Sequence, residues 1–409
     1  MGGARSRIVV VAWDLAHNAA SCAFMLADLL HRQHDVEIIG PTFRGAEIWK
    51  PIRFTEIPIR SFPGRQLPQF VEDAERFVSS VEADVIYASK PRFPTLLLSM
   101  LIKDQCGAPV ILHIDDLELG FVGATGAISL DELERRRGLP DFANPTRRSW
   151  VSACDGLVRD ADAITVSGEE LGRRYGGVVL GQPRDETLFD PARVDRQAVR
   201  AEFGYSEQDR VVLFLGTPRL HKGILELAMA VAEIEDHRVK LCVIGSFDDV
   251  RLRNEIAQLD RGRIQLLDYQ PVSEVPRLLM IGDLVCLPQD ATIEFVSYQT
   301  PMKLTEALAM GVPVLARETA SLTPLARRGV IETIGDAPLS ERISELFADP
   351  GSLRDMARRG REFFLEHLSY AVALETVNRV IAGLPPNSTE VPPSWERACE
   401  LASSFREIH

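Results

Sequence analysis

Short β-branched runs alternate with longer amphipathic stretches along most of the chain. In the first half the strand-like runs are RIVVVAW (7–13), VEIIG (36–40), DVIYAS (84–89), PVILHID (109–115), AITVS (163–167) and VVLG (178–181). Helical patterns lie between several of them, as in AASCAFMLADLLHRQ (19–33) and PTLLLSMLIKDQ (94–105). Runs that are apolar at nearly every position suit strands buried on both faces, which predicts a parallel sheet covered by helices.

The second half restarts the rhythm with RVVLFLG (210–216), VKLCVIG (239–245), IQLLDY (264–269), DLVCLP (283–288), VPVLA (312–316) and VIETI (330–334). Strand–helix alternation that stops and resumes predicts two doubly wound α/β domains, each Rossmann-like. The polar stretch 183–209 is the seam, and the expected domains are 1–195 and 196–383. Beyond them the proline-rich LPPNSTEVPPSW (384–395) leads to a last short helix within 384–409, expected to pack back on the first domain. Residues 116–148 form a long insertion between a strand and a helix. A loop of that length is either functional or a decorated surface.

At 409 residues, 45% apolar and 26% charged, the chain has the composition of an ordinary globular protein. Its net charge of −13 argues against nucleic acid and anionic lipid as partners, yet a local cationic pocket for a small anion remains compatible with it. The six cysteines are scattered, with no CxxC pair and no Cys/His cluster, so neither a zinc site nor a disulfide framework is expected. The N-terminal apolar run is too short for a secretion signal and no run reaches membrane-spanning length, which predicts a cytoplasmic protein.

Two stretches carry chemistry. FLGTPRLHKG (214–223) ends an apolar strand in Gly216 and Thr217, then sets Arg219 and Lys222 three apart ahead of a helix. In an open parallel sheet ligands bind beyond the carboxyl ends of the strands. Two cations there, with a helix N-terminus beside them, suit an anion, although solvated turn residues are the plain alternative. In TPMKLTEALAMGVPVLA (300–316) Pro301 starts a helix, Gly311 stops it, and Glu306 lies one turn beyond Lys303 on the same face. A carboxylate beside a phosphate pocket is suited to a ribose diol; the alternative is a solvated glutamate.

The order FLGTPRLHKG, LCVIGSF, LLDYQPVSEVPRLLMIGDLVCLPQ, TPMKLTEALAMGVPVLA resembles the donor-binding domain of the family-4 retaining glycosyltransferases with the GT-B fold, over residues 200–383. The first half resembles it more weakly, through AITVSGEELGRRYGGVVLGQPRDETLFDP (163–191). The resemblance implies two Rossmann-like domains facing a cleft, a nucleotide-diphosphate sugar as donor co-substrate, a hydroxyl acceptor and no metal or other cofactor. It gives Arg219 and Lys222 the donor diphosphate and Glu306 the ribose. Gly216, Thr217, Gly245 and the loop with Tyr298, Gln299, Thr300, Met302 and Lys303 would line the donor pocket, and Tyr269 and Pro271 would border the nucleobase.

The sequence departs from the family at three places. Position 298, where the first of two motif glutamates belongs, is Tyr298, with Glu294 a candidate substitute. The Arg219–Lys222 spacing is shorter than usual. The glycine-rich loop after the first strand is replaced by DLAHNAASC (14–22), in which His17 and Asn18 are acceptor-side candidates.

PVILHIDDLELG (109–120) places His113, Asp115 and Asp116 at a strand's carboxyl end, as contacts to donor sugar or acceptor hydroxyl. The alternative for His113 is a strand histidine turned into the core. The reading is a retaining glycosyltransferase; a non-catalytic nucleotide-sugar scaffold or sensor is the alternative. A periplasmic-type sugar-binding protein and an epimerase or phosphorylase on the same fold stand further off. Donor base, sugar, acceptor and oligomeric state stay open.

Overall fold

A computed structural model describes residues 5–45, 47–53, 55–259 and 262–405. The chain divides into two compact units, one running to Gly181 and resuming at Leu374, the other spanning Gln182–Ala373.

The first unit holds β1 (Arg7–Ala12), β2 (Asp35–Phe43), β3 (Ile59–Gly64), β4 (Val85–Ser89), β5 (Val110–Ile114), β6 (Ala163–Val166) and β7 (Val178–Val179). The second holds β8 (Arg210–Leu215), β9 (Val239–Ile244), β10 (Ile264–Leu267), β11 (Leu284–Leu287), β12 (Val314–Ala316) and β13 (Glu332–Thr333). Among the described residues they form two sheets, in the orders β3-β2-β1-β4-β5-β6-β7 and β10-β9-β8-β11-β12-β13. Among the described residues every pairing of these strands is parallel, from Arg7 opposite Asp35 in the first sheet to Leu287 opposite Ala316 in the second. The order reverses between β1 and β4, and again between β8 and β11. Beyond the carboxyl ends of those strand pairs a ligand finds room, because the following connections diverge to opposite faces.

Each run that reads as a strand in the sequence is one in the structure. In the central strands the apolar character at every position has its reason in two-sided burial, whereas Val178 and Val179 of the edge strand β7 are exposed. Val211, Leu213 and Leu215 of β8 enter one hydrophobic core while Val212 and Phe214 enter the other. Cys242 and Cys286 are buried among these side chains, and all six cysteines are free thiols. Strand β3 escapes the pattern reading: Arg60, Ser61 and Pro63 break its apolar run. It lies at the sheet edge, where a proline's missing N–H costs no ladder bond, and is anchored by Phe62 stacked on Phe70.

The boundary expected at 195 lies instead at Gly181, because the segment that follows is pinned to the second unit. Phe189 is 2% exposed in that unit's core, and Arg361 Nη1 donates to its carbonyl at 2.6 Å. The far boundary lies inside the helix Tyr370–Ala382, at Ala373, rather than at 383. The last helix, Pro393–Ser403, packs on the helices Gln69–Val78 and Phe93–Cys106, with Trp395 Nε1 donating to Leu157 O at 3.3 Å. The 116–148 insertion carries two short helices, Glu118–Phe121 and Leu130–Arg135.

Truncating Phe189 leaves a cavity in the second unit's core, so Phe189→Ala should lower that unit's stability by about 3–5 kcal/mol in chemical denaturation. A loss under about 1 kcal/mol would return residues 182–195 to the status of a linker.

Candidate functional site

The carboxyl edge of the second sheet is built around two glycines. Gly216, directly after β8, has φ +118°, and a β-carbon there would lie 2.0 Å from Lys303 Cε. Only glycine lets that lysine stem cross the strand end. Gly223, at φ +69°, closes the turn, and a β-carbon on it would meet Pro288 O at 2.0 Å. The turn is thereby pressed against the end of β11, at the reversal of strand order. Thr217 and Arg219 lie in this turn and Lys222 ends its single 3-10 turn, Leu220–Lys222, ahead of the helix Ile224–Glu233.

Lys222 Nζ donates to Thr217 O at 3.1 Å, which curls the turn on itself. Arg219 pairs through Nη2 with Asp248 Oδ2 at 3.0 Å, beyond the end of β9 and Gly245. His221 stands edge-on to Phe295, with ring centroids 5.9 Å apart. Burial pushes its imidazole below the usual range, and Lys222 and Arg219 push it further against the pull of Asp290.

The helix Met302–Ala309 brings the opposite wall. Burial holds the Lys303 ammonium below the ordinary lysine range; Glu306 raises it, and Arg184 and Arg219 lower it. Four ionic side chains therefore converge here. Glu306 is 8% exposed, and Arg184, also 8% exposed, donates from Nε at 3.1 Å and from Nη2 at 2.8 Å to its Oε1. Burial raises the Tyr269 phenol to about 12, with Glu306 adding to the effect. Tyr298 ends the 3-10 segment Glu294–Tyr298, and it, Gln299, Thr300 and Met302 are half-buried on the approach to the helix, whereas Glu294 and Pro271 are exposed. Of the expected donor residues, Gly216, Thr217, Arg219, Lys222, Gly245, Lys303, Glu306 and Tyr269 are joined by these contacts and interactions. Arg184 and His221 are additions that the sequence reading did not single out.

The edge of the first sheet has the opposite electrostatic character. Lys90 follows β4 with φ +72°, an uncommon left-handed conformation for a residue with a side chain. Its ammonium lies 2.7 Å from Asp115 Oδ1, 2.9 Å from Asp116 Oδ2 and 3.0 Å from Glu118 Oε1. These three carboxylates have the proximity of a metal-binding set, with ligand atoms within 4.8 Å of one another, but the lysine ammonium sits among them. Arg92 pairs with Glu118 and lies over the Trp13 ring at 4.8 Å. Burial pushes the Glu118 carboxyl up, and Arg92 and Lys90 outweigh it, leaving it below the usual range. Asp116 goes the other way: burial raises it despite Lys90, with Asp115 and Glu118 adding to the rise.

His17 is held at both nitrogens. Ala19 N donates to Nδ1 at 3.0 Å, and Nε2 reaches Asp14 Oδ2 at 3.2 Å. Asp14 Oδ1 in turn accepts from Ala16 N, so side chains organise the loop where glycines were expected to be missing. Asn18 is exposed beside it. His113 takes its alternative place: fully buried on β5, with Nδ1 joined to Thr165 Oγ1 at 3.0 Å. Its side chain is thus turned into the core, although Lys90 and Asp116 act on it electrostatically.

Two doubly wound parallel sheets, each with an edge of concentrated charge, define the GT-B class of fold. Residues 195–363 match the family model described as Glycosyl transferases group 1. Curated relatives include D-inositol 3-phosphate glycosyltransferases of Segniliparus rotundus, 30% identical over 45% of this chain and 40% of the relative, and of Rhodococcus jostii, 26% identical over 53% and 51%. The chain thus matches about half the length of these relatives. A solved structure of Anabaena Alr3699/HepE in complex with UDP and glucose superposes with TM-score 0.67 at 16% identity, covering 93% of this chain and 100% of that one. At that identity the likeness shows the fold alone. The fold is of the GT-B class, and within the second unit residues 195–363 are similar to the glycosyl transferases group 1 model.

Burial lowers the His113 imidazole to about 3, with Lys90 adding to the shift and Asp116 opposing it. An unfolded histidine titrates near about 6.5. Neutral His113 therefore contributes stability above that pH and loses it as pH falls from about 6.5 towards 3. The melting-temperature advantage of wild type over His113→Gln should shrink between pH 8 and pH 4.5. A gap independent of pH would place His113 in contact with solvent.

Proposed function

We propose that the protein is a retaining glycosyltransferase that moves a sugar from a nucleoside diphosphate to a hydroxyl acceptor, without a metal ion. The observation that carries this reading is the gathering of Arg219, Lys222, Lys303 and Arg184 around the end of β8, with Glu306 and Asp248 as their paired carboxylates. Such a surplus of positive charge in an acidic protein is suited to a diphosphate. The match of residues 195–363 to the glycosyl transferases group 1 model and the sugar transfer named for the relatives support the same reading.

In the proposed reaction the bond between the sugar's anomeric carbon and the diphosphate oxygen breaks as the acceptor oxygen bonds to that carbon. The acceptor proton passes to the departing phosphate. Negative charge grows on the diphosphate during this step, and Arg219, Lys222 and Lys303 are already in place to stabilise it. The backbone N–H groups at the start of the helices Ile224–Glu233 and Met302–Ala309 add to that field. Glu306 accepts from the ribose hydroxyls, and Tyr269 borders the base. The acceptor is assigned to the first unit, where Asp115 and Asp116 offer oxygens to a hydroxyl. The Lys90 ammonium supplies the cation that those carboxylates would otherwise take from solution.

The test is thermal stabilisation by UDP, GDP, ADP and TDP and their sugar conjugates, with chelator present. One nucleotide family should raise the melting temperature by mass action. Lys222→Ala should then cut sugar transfer from that donor by orders of magnitude and leave the melting temperature of the free protein unchanged. Stabilisation by none of them would overturn the donor reading, stabilisation without any transfer would favour a non-catalytic nucleotide-sugar scaffold, and near-normal transfer by Lys222→Ala would remove the lysine from the diphosphate.

A further inference from the structure

We propose that Arg184 is a positioning residue for the nucleotide: it holds Glu306 turned to the ribose, and it keeps Lys303 for the phosphates. This inference rests on the donor reading above.

The guanidinium meets the carboxylate unusually. Both Nε and Nη2 donate to Oε1, rather than forking across the two oxygens. Among the described residues no hydrogen bond engages Oε2, so one oxygen of a nearly buried carboxylate is left for a ligand. The third guanidinium nitrogen, Nη1, donates to Pro183 O at 2.9 Å, which fixes the plane of the group. The backbone of Arg184 is fixed as well. Its N–H donates to Leu368 O at 3.0 Å and its carbonyl accepts from Tyr370 N at 2.9 Å, a parallel bridge to Ser369. The side chain thus starts from a clamped backbone and ends in a clamped plane.

Charge explains why an arginine is needed. A buried charge is costly unless it is paired and hydrogen-bonded, and Glu306 is nearly buried. A cation on Oε1 meets that need and leaves Oε2 for a ligand. Lys303, one turn before Glu306 on the same helix, is the other available cation, yet among the described residues it makes no ion pair. Its stem runs across Gly216 towards the turn with Arg219 and Lys222. Arg184 satisfies the glutamate from the side away from its own helix, and the lysine is spared for an anion. Arg184 also repels the Lys303 ammonium, which favours that outcome.

The experiment is calorimetric binding of UDP, GDP and ADP, each against its 2′,3′-dideoxy counterpart, to wild type, Arg184→Met, Arg184→Lys, Glu306→Gln and the Arg184→Met/Glu306→Gln double variant. For the nucleotide that binds, wild type should prefer the ribose form by about 10-fold or more, the worth of hydrogen bonds to a charged group. Arg184→Met should lose most of that preference and Arg184→Lys should regain part of it. Once Glu306 is glutamine, Arg184→Met should change the preference no further. Equal weakening of ribose and dideoxy forms in Arg184→Met would make the arginine merely structural and overturn the proposal, as would an unchanged preference. Should Arg184→Met fail to fold, a full wild-type preference in Arg184→Lys, whose ammonium cannot place two donors on one oxygen, would overturn it. Binding of no nucleotide to wild type would instead overturn the donor reading itself.

Discussion

Mutual repulsion among cations is the constraint on which the second unit turns. Two like charges 4 Å apart in surroundings of intermediate polarity repel by about 4 kcal/mol. Burial already holds the Lys303 ammonium below its usual range, and Arg184 and Arg219 add to that. The chain tolerates the arrangement because each cation is tied to something rigid. Arg219 is tied to Asp248, Lys222 to its own turn, Arg184 to Glu306 and the Ser369 bridge, and Lys303 to the groove over Gly216. In the proposed function an arriving diphosphate would relieve the repulsion without requiring these groups to move, which is what preorganisation means in a site of this kind.

The first unit solves the converse problem. Asp115, Asp116 and Glu118 would repel one another, and the Lys90 ammonium separates them. Its left-handed backbone is a local strain of the sort that persists where the surroundings over-determine it. Here those surroundings are the backbone bond from Lys90 N to His113 O and the three carboxylates. The two sheets thus carry charge of opposite predominance at their carboxyl edges, after β4 and β5 in the first and after β8 in the second. One edge is suited to phosphate oxygens and the other to hydroxyl groups.

The sequence made the sheets legible because burial on both faces writes itself as consecutive apolar residues, as in RVVLFL and VKLCVI. It hid β3, whose edge position permits Arg60, Ser61 and Pro63. It also hid the unit boundary, since PRDETLFDP is polar in composition and only the burial of Phe189 shows which unit holds it. Within the site, Arg219, Lys222, Lys303 and Glu306 were legible because each lies within a few residues of a strand end or helix start. Arg184 was not, because its partner is 122 residues away, and nothing local marks it except a lone arginine after a short strand. Lys90 had a signal that went unused: a lysine at the carboxyl end of an apolar strand, DVIYASK, is the same cue that singled out Arg219 and Lys222.

The replacement of a motif glutamate by Tyr298 gains a physical meaning from this charge pattern. A second carboxylate there, on the half-buried approach to the helix Met302–Ala309, would add negative charge ahead of the helix that carries Lys303 and Glu306. A tyrosine offers a hydrogen bond with no charge, and so leaves the positive surplus undivided. The balance between Arg184, Lys303 and Glu306 is therefore more sensitive to the loss of one member than a site with two glutamates would be. With only one carboxylate on the helix, the arginine that holds it decides where the lysine points.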